Sequence, residues 1–223
     1  MRAYREDRTA SETHLQRINV YKANLLNVSS AGFARRIYID LGANKYQSSI
    51  GSWLRNKYPG GRDFHVIAFE PETALRATYE SSGDANLEFH WLAAWIRSET
   101  LRFEVRNKIR YNAASEDGSL SRGARTFASV PALDTAEFLR TRLTRDDFVV
   151  LKMDVEGAEY DLIPHLIHQN VTHLLDEVFV EAHYIDHNPI NAIRGKHLKN
   201  AVQLMHELRA RACLRASALS GEI

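Results

Sequence analysis

One pattern, met four times, constrains this chain more than any other feature. A short apolar run ends in a polar turn, and the next segment takes up helical spacing. Ile37–Leu41 (IYIDL) leads into Gly42, His65–Phe69 (HVIAF) into Glu70, Phe148–Met153 (FVVLKM) into Asp154, and Glu177–Ala182 (EVFVEA) into His183. Apolar runs this short and continuous read as strands buried on both faces. Between them Ile50, Trp53, Leu54 and Tyr58 recur at helical spacing until Pro59-Gly60-Gly61 stops them. Thr73–Tyr79, Thr135–Leu143 and Glu156–Gln169 read as further helices, the last kinked by Pro164, and His197–Arg211 places Leu198, Val202, Met205 and Leu208 on one face. Strands that alternate with helices require crossover connections, hence an α/β fold with a mostly parallel sheet flanked by helices.

Other stretches carry weaker patterns. Residues 1–30 are polar, and Leu15, Ile18, Tyr21 and Leu25 predict a leader that is partly helical ahead of a single domain over 31–223. Leu87–Trp95 and Leu101–Val105 flank Arg97-Ser98-Glu99 as a hairpin would. Residues 106–128 are polar and aperiodic, and predict a mobile loop or lid over the site rather than part of a sheet. Arg106, Arg110, Arg122 and Arg125 suit that loop to an anionic acceptor.

Composition removes several classes of function. Lys and Arg number 29 against 28 Asp and Glu, so the chain is not a nucleic-acid binder held by bulk charge. The single cysteine, Cys213, forms no internal disulfide and no cysteine-based zinc finger. No apolar run approaches the ~20 residues of a transmembrane segment. The opening MRAYREDRTA is followed by no apolar core of a secretory signal, so the expected compartment is the cytoplasm. Oligomeric state leaves no mark in the sequence.

In parallel sheets, ligands bind beyond the carboxyl ends of the strands. After the first run stand Asp40-Leu41-Gly42-Ala43-Asn44, a glycine turn with a carboxylate able to pair with an ammonium group. After the second stands Glu70-Pro71-Glu72, where an acidic residue accepts hydrogen bonds from ribose hydroxyls. Together they suit an adenosine ligand with an amino-acid-like end. The glycine-rich dinucleotide and P-loop fingerprints are absent, since Ala43, Asn44, Lys45 and Tyr46 follow Gly42. The third run opens onto Asp154, Glu156, Glu159 and Asp161, and alternation puts Glu181 and His183 on one face of the fourth. Glu156 and Glu159 also suit a helix N-terminus as capping charges.

These residues resemble a family. Asp40-Leu41-Gly42-Ala43-Asn44, Phe69-Glu70-Pro71, Leu133-Asp134 and Leu151-Lys152-Met153-Asp154-Val155-Glu156-Gly157-Ala158-Glu159 are similar to the motifs of the FkbM-type S-adenosylmethionine-dependent methyltransferases. The resemblance implies a Rossmann-like class I methyltransferase fold, here with a shortened C-terminal strand region. It implies O-methylation of a hydroxyl on a sugar, glycan or small natural product. Asp40, Gly42, Ala43 and Asn44 would line the methionine half of the cofactor, Glu70 the ribose, and Ala93 and Ala94 the adenine. Asp154 would orient the acceptor with His183 as base and Glu156 and Glu181 in support. A divalent ion on Asp154, Glu181 and His183 is chemically reasonable, although the sequence does not itself require one. Tyr46 departs from the family pattern by standing where a second glycine is usual, which brings a ring close to the pocket. Tyr46, the short tail and the polar leader point to an alternative of another class, a catalytically silent fold serving as a structural or interaction subunit.

Overall fold

A computed structural model describes residues 17–20, 33–106, 110–113, 126–183 and 197–219. The elements run β1 (Arg17–Val20), β2 (Arg36–Leu41), a π-helical segment Gln47–Leu54 continuing into α1 (Arg55–Lys57), β3 (His65–Phe69), α2 (Arg76–Glu80) and β4 (Leu87–His90). They continue with β5 (Ala93–Trp95), β6 (Glu99–Arg106), β7 (Arg110–Ala113), β8 (Thr126–Asp134), α3 (Thr135–Arg142), β9 (Phe148–Met153), α4 (Glu159–His168), β10 (Glu177–Glu181) and α5 (Leu198–Leu219). Among the described residues the strands form two sheets, ordered β1-β10-β9-β2-β3-β4 and β5-β8-β6-β7. In the first, β10, β9, β2, β3 and β4 run parallel, as the four apolar runs require.

Each central strand divides its side chains between two cores. Ile37, Ile39 and Leu41 of β2, with Val149, Leu151 and Met153 of β9, pack with residues of α3, α4 and α5. Tyr38, Phe148 and Val150 face the other way, toward Ile50, Leu54, Phe64 and Tyr79. By alternation Asp40 shares the face of Tyr38, and Lys152 that of Val150. The register sets Asp40 directly opposite Lys152. The two charges that interrupt this apolar face therefore meet at the carboxyl end of the sheet.

Three sequence expectations change. Within the predicted leader, Arg17–Val20 is a strand, antiparallel to β10 with Arg17 opposite Glu181. Residues 1–16 and 21–30, with Leu15, Tyr21 and Leu25, lie outside the described residues. The exposed edge of β10 offers a backbone ladder, and β-branched Ile18 and Val20 suit it better than their weak helical spacing suits a helix. The predicted hairpin divides: β4 joins the main sheet beside β3, whereas β5 pairs in parallel with β8 in the second sheet. The Leu101–Val105 run lies in β6, antiparallel to both β7 and β8. The expected lid over 106–128 contains β7 and the beginning of β8, so at Arg110–Ala113 and from Thr126 it is sheet. Residues 107–109 and 114–125, with Arg122 and Arg125, lie outside the described residues.

Among the described residues no strand follows α5, and no helix is long and apolar enough to cross a membrane. β1 borders β10 and forms one edge of the first sheet.

The entry to the sheet is fixed by a buried carboxylate. Asp147, immediately before β9, accepts from Arg35 Nε at 2.8 Å, Arg35 Nη2 at 2.7 Å and the Thr144 N–H at 2.7 Å. Burial works to raise its pKa, but the Arg35 guanidinium and the Thr144 donors outweigh that and hold it below the usual carboxylate range. A depressed folded-state pKa gives stability above the unfolded value of about 3.9, lost as pH falls through the folded one. Asp147→Asn is expected to cost about 2 kcal/mol at pH 7, with a smaller gap to wild type at pH 3. Urea unfolding at the two pH values measures both; an unchanged gap would remove Asp147 from the acid sensitivity.

Candidate active site

The first strand-end turn is held from within. Asp40 is fully buried, accepts from Ser49 Oγ on one oxygen and from the Lys152 ammonium at 3.1 Å on the other. Lys152 also lies 3.4 Å from the Gly42 carbonyl and 3.5 Å from Asp154 Oδ2. Burial lowers the Lys152 pKa, but Asp40 and Asp154 more than offset it and raise it overall. Asp40 thus ties the first turn to β9, and its carboxylate is already taken by an ammonium of the chain's own.

Gly42 has φ +73°, and a Cβ there would stand 1.9 Å from the Asp154 carbonyl oxygen. Close approach of β9, rather than room for a ligand, is what demands glycine. The Gly42 and Ala43 N–H groups both donate to the Phe69 carbonyl at 3.0 Å. Asn44 adopts φ 53°, a conformation asparagine tolerates, and its Oδ1 accepts the Lys45 N–H at 2.7 Å. Tyr79 donates its hydroxyl to the Asn44 carbonyl at 2.6 Å.

Tyr46 resolves the departure noted above. Its backbone is right-handed helical (φ −46°, ψ −42°), so no glycine is needed there. Its ring meets Tyr79 edge-on at 6.2 Å and its hydroxyl donates to Asp84 at 2.9 Å, where Arg55 closes the ion pair at 2.8 Å. That places the side chain in the core.

Glu70 joins the first two turns. Its Oε2 accepts the Asn44 N–H and its Oε1 the Glu72 N–H, each at 2.8 Å. Burial pushes its carboxyl above the usual range in spite of those two donors. A carboxylate has about four acceptor positions, so two N–H groups leave room for two further donors.

Beyond β9 and β10 the acidic groups gather around one imidazole. Glu156 takes φ 49° and Gly157 φ 107°, an unusual left-handed pair directly before α4. That turn brings Glu156 Oε2 to 3.5 Å from His183 Nε2, while Asp154 Oδ1 lies at 3.8 Å. Glu159, fully buried at the start of α4, accepts from the Val155 N–H at 3.1 Å and stands 2.8 Å from His183 Nδ1. It therefore ties the turn before α4 to the ring and sets the ring's orientation; the N-cap of α4, Ala158, has no side-chain hydrogen bond. Burial opposes a proton on His183, but the Glu159 hydrogen bond and the charges of Glu159, Glu156 and Asp154 prevail and push its pKa up to about 9. The ring is an imidazolium at neutral pH, so it accepts a proton only after losing its own. Ligand atoms of Asp154, Glu181 and His183 all lie within 4.8 Å of one another, close enough to share a cation.

Asp154, Glu156, Glu181 and His183 thus come together as the sequence suggests, and Asn44 meets Glu70. Ala93 and Ala94 are packed in two apolar clusters, with Ala93 against Phe103 and Val130. The residue of that stretch bonded to Glu70 is His90, whose carbonyl accepts the Glu70 N–H at 3.1 Å. Sequence reasoning assigned no role to Lys152, Ser49 or Tyr79. Lys152 had a readable signal, being a lone charge inside the FVVLKM strand.

Comparison with known proteins gives one match: residues 40–211 fit the model of the methyltransferase FkbM domain. No curated protein and no solved structure matches the chain.

Proposed function

The chain belongs to the FkbM methyltransferase family, and from that premise we propose that it transfers a methyl group from S-adenosylmethionine to a hydroxyl oxygen of a sugar, glycan or small natural product. The observation that carries the cofactor half is Glu70: a buried carboxylate at the end of β3, raised in pKa, whose two N–H donors leave acceptor positions that two ribose hydroxyls would fill. The donor set fits the group at that point. It fits less directly at Asp40, which acts from behind the turn through Ser49 and Lys152.

When bound, the cofactor supplies an electrophilic methyl on a sulfonium. The chain's part is alignment and proton handling. Asp154, a quarter exposed, accepts a hydrogen bond from the acceptor hydroxyl and orients its oxygen. Glu159 fixes the His183 ring, and Glu156 and Glu181 supply the surrounding negative field. His183 takes the hydroxyl proton only from a form in which its own has been displaced. The silent-scaffold alternative drew on Tyr46, the short tail and the polar leader, and of these the helical backbone and core position of Tyr46 do not favour it.

Methyl-labelled S-adenosylmethionine and a panel of hydroxylated acceptors test the reading. Product should carry the label as an O-methyl ether, and Asp154→Asn should lower turnover ~10²–10⁴-fold while changing cofactor affinity only a few-fold. Label on nitrogen or carbon, or full turnover by Asp154→Asn, would overturn the assignment.

A further inference from the structure

We propose that Asp154, Glu181 and His183 form a binding site for a divalent cation of the Mg²⁺/Mn²⁺ class, and that the acceptor is an oxygen chelator such as a vicinal diol. Asp154 follows β9, Glu181 ends β10, and His183 lies two residues further on. Their ligand atoms lie within 4.8 Å of one another. Bonds of ~2.0–2.6 Å to hard divalent ions put ligand atoms at most ~4–5 Å apart across the ion, which is the spacing here.

The imidazole gives an independent indication. Its side chain is only 3% exposed, and Nδ1 is engaged by Glu159 at 2.8 Å. Nε2 therefore points into the cluster, yet its nearest carboxylate oxygens are at 3.5 Å and 3.8 Å, longer than a usual direct hydrogen bond. A buried ring held on one nitrogen by a carboxylate, with the other aimed at two more, is the arrangement by which metal-binding histidines are oriented.

Two carboxylates and one imidazole suit Mn²⁺ or Mg²⁺ better than a soft thiophilic ion. Three protein ligands leave positions on a six-coordinate ion for two adjacent acceptor oxygens. Bound there, an acceptor hydroxyl becomes more acidic, and its proton passes to solvent or a neighbouring carboxylate as the new carbon–oxygen bond forms. With the ion in place His183 serves as a ligand, and its role as base belongs to the ion-free form. The ion's catalytic use rests on the methyl-transfer reading; its binding does not.

The test is a titration of chelator-treated full-length protein with Mn²⁺, followed by the loss of the free-ion electron paramagnetic resonance signal, with no cofactor present. One ion per chain is expected to bind, to be competed by Mg²⁺, and to be weakened at least tenfold in both Asp154→Asn and Glu181→Gln. Asp161→Asn, exposed on α4, should bind as wild type does. Thermal melting of each variant without metal identifies any that fails to fold, and Asp154→Asn, at a quarter-exposed position, carries the test if Glu181→Gln does not fold. Absence of binding at millimolar Mn²⁺, or equal binding by wild type and folded Asp154→Asn, overturns the site. Mn²⁺ binding without methyl transfer would instead remove the methyl-transfer reading and leave the site standing.

Discussion

Lys152→Met is expected to destabilise the protein by about 3–5 kcal/mol, the usual effect of removing one partner from a buried ion pair. The lysine ammonium is the cation on Asp40, at 3.1 Å, and Asp40 is fully buried. Without it the carboxylate keeps Ser49 and faces an apolar core of Tyr38, Ala43 and Ile50. Methionine fills much of the same volume, so the loss reports charge rather than a cavity. The double variant Lys152→Met/Asp40→Asn should recover more than half of the loss, because no buried charge remains unpaired. Urea unfolding of the wild type, both single variants and the double closes the cycle. Additive losses would show that the two residues act separately and that Lys152 does not anchor the first turn to β9.

The central sheet was legible because its strands are buried on both faces. IYIDL, HVIAF, FVVLKM and EVFVE are continuous apolar runs, and each is a strand of the parallel sheet. What lies beyond their carboxyl ends was legible for the same reason: a parallel sheet brings successive strand ends together whatever the distance along the chain. Asp40 and Lys152 show the limit. Their pairing depends on the register of β2 on β9, and register is a non-local property that neither strand reveals alone. β1 and the second sheet are likewise partnerships across distant segments, β1 with β10 and β6 with β8.

Gly42 and Tyr46 show a second limit, that of backbone conformation. Glycine after Asp40 reads as space for a ligand, whereas the neighbour that excludes a side chain is the Asp154 carbonyl. Tyrosine in the same turn reads as an obstruction, yet its dihedral angles are ordinary for any residue. The grouping of Asp154, Glu156, Glu181 and His183 followed from alternation and order. The proton on His183 did not, because it depends on Glu159 reaching Nδ1 from a helix in another part of the chain.

Loss of the Glu70 carboxylate is expected to have the largest effect on ligand binding. In the proposed complex it accepts from both ribose hydroxyls, and hydrogen bonds to a charged group contribute about 1.5–3 kcal/mol each. Glu70→Ala removes these and also releases the Asn44 and Glu72 N–H groups that hold the turn. Cofactor affinity should fall at least 100-fold, from an effect of about 3 kcal/mol or more. Glu70→Gln keeps the side-chain volume but accepts on one oxygen only, so it should lie between. The variant must be shown by thermal melting to fold, since the same two N–H bonds join β2's turn to β3's.

The most direct measurement is a calorimetric titration of the wild-type chain and Glu70→Ala with S-adenosylmethionine. One saturable site per wild-type chain, lost or weakened at least 100-fold in folded Glu70→Ala, is the predicted result. No binding to the wild type at millimolar cofactor, or equal binding by both proteins, would contradict the account.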